Sequence, residues 1–238
     1  MMSFSVIYDC ADFVVVDKSA GVDFHDCDGL AGLFSQVKRS LGLTEFYPVH
    51  RLDKVTSGLV VFAKTAAVNQ ALCQQFLERT TEKYYLAIAA GKPKKKQGAV
   101  IGDMARSRRS SWVLLKTRNN PALTQFFSYS LIPGLRMYLL KPSTGKTHQL
   151  RVALKSVAAP ILGDKIYSGA STYKIAEQSH SADRTYLHAY SLGFTLFGRD
   201  YRFICKPSQG ALFAQANDLL GRLEEPWCLP WPKVDTRG

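Results

Sequence analysis

Apolar residues along this chain fall in short runs that are closely punctuated by turn formers. Ser5-Val6-Ile7-Tyr8 and Phe13-Val14-Val15-Val16 are β-branched or aromatic, and Ser19-Ala20-Gly21 breaks the second run. Both therefore read as strands. From Leu30 to Leu41 the spacing changes: Leu30, Leu33, Phe34 and Val37 recur at helical intervals. A polar stretch, Tyr47 to Gly58, then feeds the apolar strand Leu59-Val60-Val61-Phe62-Ala63. Thr65 is placed to cap a helix whose apolar face is Val68, Ala71, Leu72 and Phe76. A strand over Lys83 to Ala89 stops at Gly91 and Pro93, and strand-like pieces follow at Ala99–Met104 and Trp112–Leu115.

Thr124–Ile132 and Leu135–Leu140 pair across Pro133-Gly134 as a hairpin. After a turn at Pro142-Ser143-Thr144-Gly145 comes a helix with Leu150, Ala153, Leu154 and Val157 on its core face. His148, Arg151 and Lys155 lie on its other side. Tyr186–Phe197 and Tyr201–Cys205 are late strands around Gly198-Arg199-Asp200. Ser208 opens a last helix that buries Leu212, Phe213, Ala216, Leu219, Leu220 and Leu223 and ends at Pro226. Trp227 and Trp231 in the tail are expected to pack against the domain.

Strands outnumber helices, and short turns join most consecutive strands. The pattern predicts an α+β fold with a mixed, largely antiparallel sheet and flanking helices, not a doubly wound parallel one. No linker divides the chain, so a single catalytic domain is expected over 1–238, with a core at about 5–205 and a C-terminal helix and tail at 208–238.

Charge changes this picture. Lys and Arg total 31 against 19 Asp and Glu, a formal net charge of +12. Nine basic residues and one acid, Asp103, lie between Lys92 and Arg118, so the excess is concentrated there. A field of that sign favours a polyanionic partner, nucleic acid first, and Lys94, Lys95 and Lys96 are its densest run. The five cysteines have no CxxC spacing, which argues against a disulfide framework and a thiol-based zinc site. No signal peptide is evident, and no apolar run is long enough to span a membrane. A cytoplasmic protein is expected.

Two segments could carry chemistry. His50-Arg51-Leu52-Asp53-Lys54-Val55-Thr56-Ser57-Gly58 is a polar loop set directly before an apolar strand, and its one carboxylate, Asp53, stands between two cations. Thr144-Gly145-Lys146-Thr147-His148-Gln149-Leu150-Arg151 places cations and backbone N–H groups at a helix start, where phosphate can bind. Read alone, the first is more often a surface turn with a local ion pair, and the second is equally a capped helix with a solvated basic face. No HxH or HExxH pair, P-loop or GxSxG is present.

The ordered blocks resolve these alternatives. The Asp53 loop resembles the HRLDxxTSG signature of the RluA-type pseudouridine synthases, and Phe13 to Lys18 is similar to the family's opening strand. Lys83-Tyr84-Tyr85-Leu86-Ala87 is similar to its KxYxA strand, and Thr144 to Arg151 to TGRTHQIR. Pro160 to Tyr167 resembles PIxGDxxYG, and Leu187-His188-Ala189 resembles LHA. Departures are Ser19 where Pro is usual, Lys146 for Arg, and Ala153 for His.

The resemblance implies an isomerase that converts uridine to pseudouridine in a structured RNA, ribosomal or transfer. Asp53 is then catalytic, with Arg151 as its ionic partner and Tyr85 against the base. Arg51 enters the space of the flipped nucleotide. Lys146, Thr147, His148 and the Lys94–Lys96 run are expected to bind RNA. No cofactor or metal is implied, a monomer is expected, and the small N-terminal RNA-binding domain of some relatives is expected to be absent. Two other classes are kept in view: a catalytically inactive RNA-binding or chaperone-like protein, and a metal-dependent nuclease.

Overall fold

A computed structural model describes residues 3–91, 95–168, 172–175 and 178–234. In chain order, β1 (Phe4–Asp9) and β2 (Phe13–Lys18) lead to α1 (Leu33–Ser40), β3 (Tyr47–Pro48), β4 (Ser57–Ala63), α2 (Ala66–Glu78) and β5 (Glu82–Ala90). There follow β6 (Gln97–Gly102), β7 (Met104–Arg106), β8 (Trp112–Leu114), β9 (Ala122–Ile132), β10 (Leu135–Pro142) and α3 (Gln149–Ser156). The rest comprises β11 (Thr172–Ile175), β12 (Gln178–Ser181), β13 (Leu187–Leu196), β14 (Arg199–Ile204), α4 (Ala211–Ala214) and α5 (Asn217–Gly221).

Two compact units, each built from separate stretches of chain, contain these elements. The first comprises residues 1–83 and 188–207, the second 84–187 and 208–238. In the first, strands run in the order β1-β2-β4-β13, with β14 on β13 and β3 beside β4. All these pairs are antiparallel except β4 with β13. Runs such as Phe13-Val14-Val15-Val16 and Leu59-Val60-Val61-Phe62 suit strands covered on both faces, and all eight residues are buried. Phe13 meets Phe194 and Tyr201 edge-on, with centroids 5.2 and 5.0 Å away. Burying a side chain of that size stabilises by roughly 1.5–3 kcal/mol. Thr65 caps α2 as its sequence predicts, accepting the Val68 N–H at 3.3 Å.

In the second unit the order is β5-β10-β9-β6, antiparallel in the β10–β5, β10–β9 and β6–β9 pairs. The β9–β10 hairpin turns at the predicted Pro133-Gly134. Trp231 packs on Phe127 and Tyr84, at 4.8 and 5.7 Å between centroids, and its indole donates to the Pro226 carbonyl at 2.8 Å. The tail's aromatic thus serves packing, as expected. The predicted fold class holds: a mixed, mostly antiparallel sheet with few helices.

Two helices differ from their expected bounds. Helix α1 begins at Leu33, not Leu30. Asp28 and Gly29 turn with positive φ, leaving Leu30 exposed. A Cβ at Gly32 would come within 2.3 Å of the His25 backbone, so the chain there is committed to a close approach, not a helical turn. The single last helix is instead two short ones, α4 and α5. Gly210 stands at the N-cap position in place of Ser208, and a non-helical Ala216 separates them.

Candidate active site

Asp53 is half-buried in the loop between β3 and β4, with Arg51 and Lys54 exposed on either side. Its backbone carbonyl accepts the Thr56 N–H at 3.0 Å, closing a tight turn. The next carbonyl, that of Lys54, accepts the Gly21 N–H at 2.8 Å and the Lys18 ammonium at 3.1 Å. Lys18 is fully buried and also donates to the carbonyls of Ser19 and Val22, each at 2.9 Å. An ammonium out of water needs such acceptors, and here they include the backbone beside Asp53. The Lys54 side chain pairs with Asp23 at 2.6 Å on the surface.

Both flanks of the loop are pinned, one by half-buried and the other by buried groups. The His50 ring accepts the Val61 N–H at 3.2 Å and stacks on Phe76 with centroids 4.6 Å apart. Burial, reinforced by the Lys83 ammonium, pushes His50 down to about 3, so the imidazole is neutral at ordinary pH. Burial, then Arg79, lowers Lys83 to about 8. On the other flank, Ser57 and Gly58 run parallel to His188 and Ala189. The His188 Nε2–H donates to the Cys205 carbonyl at 2.8 Å, which leaves Nδ1 to accept the Ser57 hydroxyl at 2.8 Å. Gly58 has φ +109, and a Cβ on it would lie 2.3 Å from the Ala189 carbonyl oxygen. The TSG and LHA blocks, far apart in sequence, are therefore one interlocked pair.

Asp17, His188 and Cys205 place metal-ligand types of atom within 4.8 Å of one another. Both ring nitrogens of His188 are already engaged, and burial together with Asp17 pushes the Cys205 thiol up. The trio reads as a hydrogen-bonded core.

In the second unit, Gln149 is the hub of the Thr144–Arg151 segment. Its carbonyl accepts from the Thr144 hydroxyl (2.6 Å) and the Lys146 N–H (3.0 Å). Its amide donates to the Leu123 carbonyl (3.0 Å) and the Thr124 hydroxyl (2.9 Å). Lys146, Thr147 and His148 are half-buried along this turn, and His148 adopts a left-handed φ of +58° at the start of α3. The Lys146 ammonium reaches the Asn120 carbonyl.

Arg151 departs from the solvated basic face that one reading of its helix allowed. It is 3% exposed and makes a two-pronged contact with Asp164, Nε to Oδ2 at 2.7 Å and Nη2 to Oδ1 at 2.8 Å. Asp164 is fully buried, and its Oδ1 also accepts the Ile166 and Tyr167 N–H groups, at 2.9 and 3.2 Å. Arg151 lies over the Tyr167 ring, 4.9 Å from its centroid. Helical periodicity carries no information about a carboxylate thirteen residues further on. The Gly163-Asp164 pair within Pro160–Tyr167 was a signal for it, but sequence reasoning gave that pair no role.

Tyr85 is half-buried in β5 between the fully buried Tyr84 and Leu86, opposite Leu140 of β10. Lys95 and Lys96 are exposed before the edge strand β6, and Lys94 lies outside the described residues. Among the described residues no helix is long and apolar enough to cross a membrane.

Comparison with known proteins bears on this arrangement. A family model described as RNA pseudouridylate synthase matches residues 12–156. A Haemophilus influenzae protein named as an uncharacterized RNA pseudouridine synthase is 46% identical over 209 residues, spanning 88% of this chain and 90% of that one. The dual-specificity RNA pseudouridine synthase RluA of Pasteurella multocida is 34% identical over 190 residues, 76% of this chain and 82% of that one. Of several other curated relatives the chain spans only 59% to 64% of the length. Human RNA Pseudouridylate Synthase Domain Containing 1 superposes with a TM-score of 0.73 at 25% identity over 97% of both chains.

Proposed function

This chain belongs to the RluA-type family of RNA pseudouridine synthases, and from that membership we propose that Asp53 is the carboxylate that acts on the nucleoside. The enzyme isomerises uridine in RNA. The bond from ribose C1′ to uracil N1 breaks, the uracil turns, and C1′ bonds to C5. The C5 proton leaves, and N1 takes up a proton. No electron is transferred to or from an outside reagent.

The observation that carries the reading is the build of the Asp53 loop. A half-buried carboxylate sits on a backbone fixed from below by Lys18 and Gly21 and from the side by the Ser57–His188 and Gly58–Ala189 pairs. Groups held this way need little reorganisation as charge develops. Exposed Arg51, with its planar guanidinium, is suited to fill the place of a flipped nucleotide. Tyr85 and Arg151 complete the proposed catalytic set, Tyr85 against the base and Arg151 as the cation for Asp53. Lys146, Thr147 and His148, with Lys94, Lys95 and Lys96, hold the RNA backbone. The substrate is a structured RNA, ribosomal or transfer, and the protein works as a cytoplasmic monomer in which residues 1–238 act as one catalytic domain.

The test uses Asp53→Asn, nearly isosteric but uncharged. RNA tritiated at uridine C5 is incubated with each protein under single-turnover conditions, and label in water is counted, since the new bond must expel that hydrogen. Wild type should release label without added nucleotide or metal. The variant should release almost none while retaining RNA affinity. Near-normal release by the variant would remove Asp53 from the mechanism. No release by wild type on any unmodified RNA would favour a binding protein without catalysis.

A further inference from the structure

Three exposed arginines sit on a small hairpin, one strand of which, β8, packs against α3. Strands β7 and β8 form a two-stranded sheet of their own, with Arg106 opposite Trp112. Its tip presents Arg106, Arg108 and Arg109 to solvent. Such a hairpin is marginal by itself in water. Its base is tied by Asp103, whose N–H donates to the Thr117 carbonyl at 2.9 Å and whose carbonyl accepts the Leu115 N–H at 2.7 Å. The Asp103 carboxylate accepts the N–H groups of Asn119 and Asn120, at 3.0 and 2.8 Å. Nearer the tip, the backbone N–H of Trp112 donates to the Tyr167 hydroxyl at 2.8 Å.

That hydroxyl is used twice. Its oxygen accepts from Trp112 and also lies 2.8 Å from His148 Nδ1, within hydrogen-bond distance. Tyr167 itself is buried, and its N–H is held by Asp164. The hydroxyl therefore joins the basic hairpin to the turn at the head of α3 through one rigid side chain.

We propose that Tyr167 is a positioning residue for RNA binding: its hydroxyl sets the pose in which the hairpin meets RNA. Without it the hairpin samples other poses, and RNA must select the competent one. The apparent affinity then falls by the fraction of molecules in that pose. Chemistry on RNA already bound is unaffected. This rests on the reading of the basic segment as an RNA-binding face.

Tyr167→Phe removes one oxygen and keeps the ring beneath Arg151. Wild type, Tyr167→Phe, Arg106→Gln/Arg108→Gln/Arg109→Gln and the four-site combination are compared on the full chain. The probes are transcribed ribosomal and transfer RNA tritiated at uridine C5. Urea unfolding of each protein establishes that it is folded. Tyr167→Phe should raise the half-saturating RNA or enzyme concentration by roughly tenfold, as when about a tenth of molecules keep the pose, and leave the maximal single-turnover rate within about twofold. In the hairpin-charge background it should add little further loss, because a hairpin without its charges gains nothing from its pose. An unchanged half-saturation for Tyr167→Phe beside a weakened charge variant overturns the inference alone. Equal, additive losses in both backgrounds would also overturn it, showing a general structural effect. If the charge variant binds as wild type does, the RNA-binding reading of the hairpin fails, and this inference with it.

Discussion

Removing the Arg151 guanidinium should damage the fold as well as the reaction. Arg151→Met keeps most of the aliphatic stem but strips a fully buried carboxylate of its cation. Asp164 Oδ1 keeps the Ile166 and Tyr167 N–H groups, whereas Oδ2 is deprived of the guanidinium that it faces at 2.7 Å. Breaking a buried pair from one side typically costs about 3–5 kcal/mol. That is a large part of the roughly 5–15 kcal/mol by which domains are stable. Neutralising the survivor should recover much of the loss. In Arg151→Met/Asp164→Asn the amide oxygen can still accept both backbone N–H groups, and no charge is left buried. Urea unfolding followed by tryptophan fluorescence gives each free energy, and an unchanged m-value certifies the comparison. Tritium release is then measured well below each midpoint. Stability should fall sharply in the single variant and return in the double, while release stays very low in both. A single variant with the wild-type midpoint, or a double no more stable than the single, would refute the electrostatic account. Wild-type release from the double would remove Arg151 from the catalytic set.

Other outcomes can be checked separately. Lys95→Gln/Lys96→Gln should weaken RNA binding and lower the slope of log affinity on log salt by roughly 0.7–0.9 for each phosphate no longer neutralised, read by filter retention across a salt series. An unchanged slope would turn those side chains away from RNA. Gly58→Ala combines a positive φ with the approach to Ala189, so thermal melts should show a loss of at least about 2 kcal/mol. A melt within experimental error of wild type would contradict the described backbone. His50 binds a proton far more readily in the unfolded chain, near pH 6.5, than in the fold, at about 3. Stability should therefore be free of this penalty above pH 6.5 and fall as pH drops from there towards 3. His50→Gln should lose that component in the difference between the two stability–pH curves.

What the sequence made legible was local. β-branched runs marked β2 and β4 because strands buried on both faces need no alternation, and Thr65 announced α2 because a cap is an interaction three residues long. The Asp53 loop stood out for its polarity against the strand that follows. The supports of that loop did not stand out. Ser57 and His188 are 131 residues apart, and nothing in either neighbourhood specifies the other. The same blindness put Arg151 among the possible solvated cations of its helix. It also left Tyr167 a mere motif member, since its importance lies in one hydroxyl placed between Trp112 and His148. The broken last helix shows the reverse error: apolar spacing of helical type continued across Ala216, where the backbone does not.

The support of the Asp53 loop also has a history within each molecule. The first unit is completed by residues 188–207, which leave the ribosome long after the loop they brace. A growing chain that has reached α3 already contains Asp53, Arg51 and Arg151, yet lacks the strand carrying His188 and Ala189. Until that strand arrives, Ser57 and Gly58 lack the edge supplied by His188 and Ala189, although Gly58 already pairs with Lys18 of β2 on its other side. The parallel β4–β13 pairing spans a long loop and is slow to form. The support of the Asp53 loop is thus completed late in the chain. A nascent chain therefore carries Asp53 well before it carries the strand that braces the Asp53 loop.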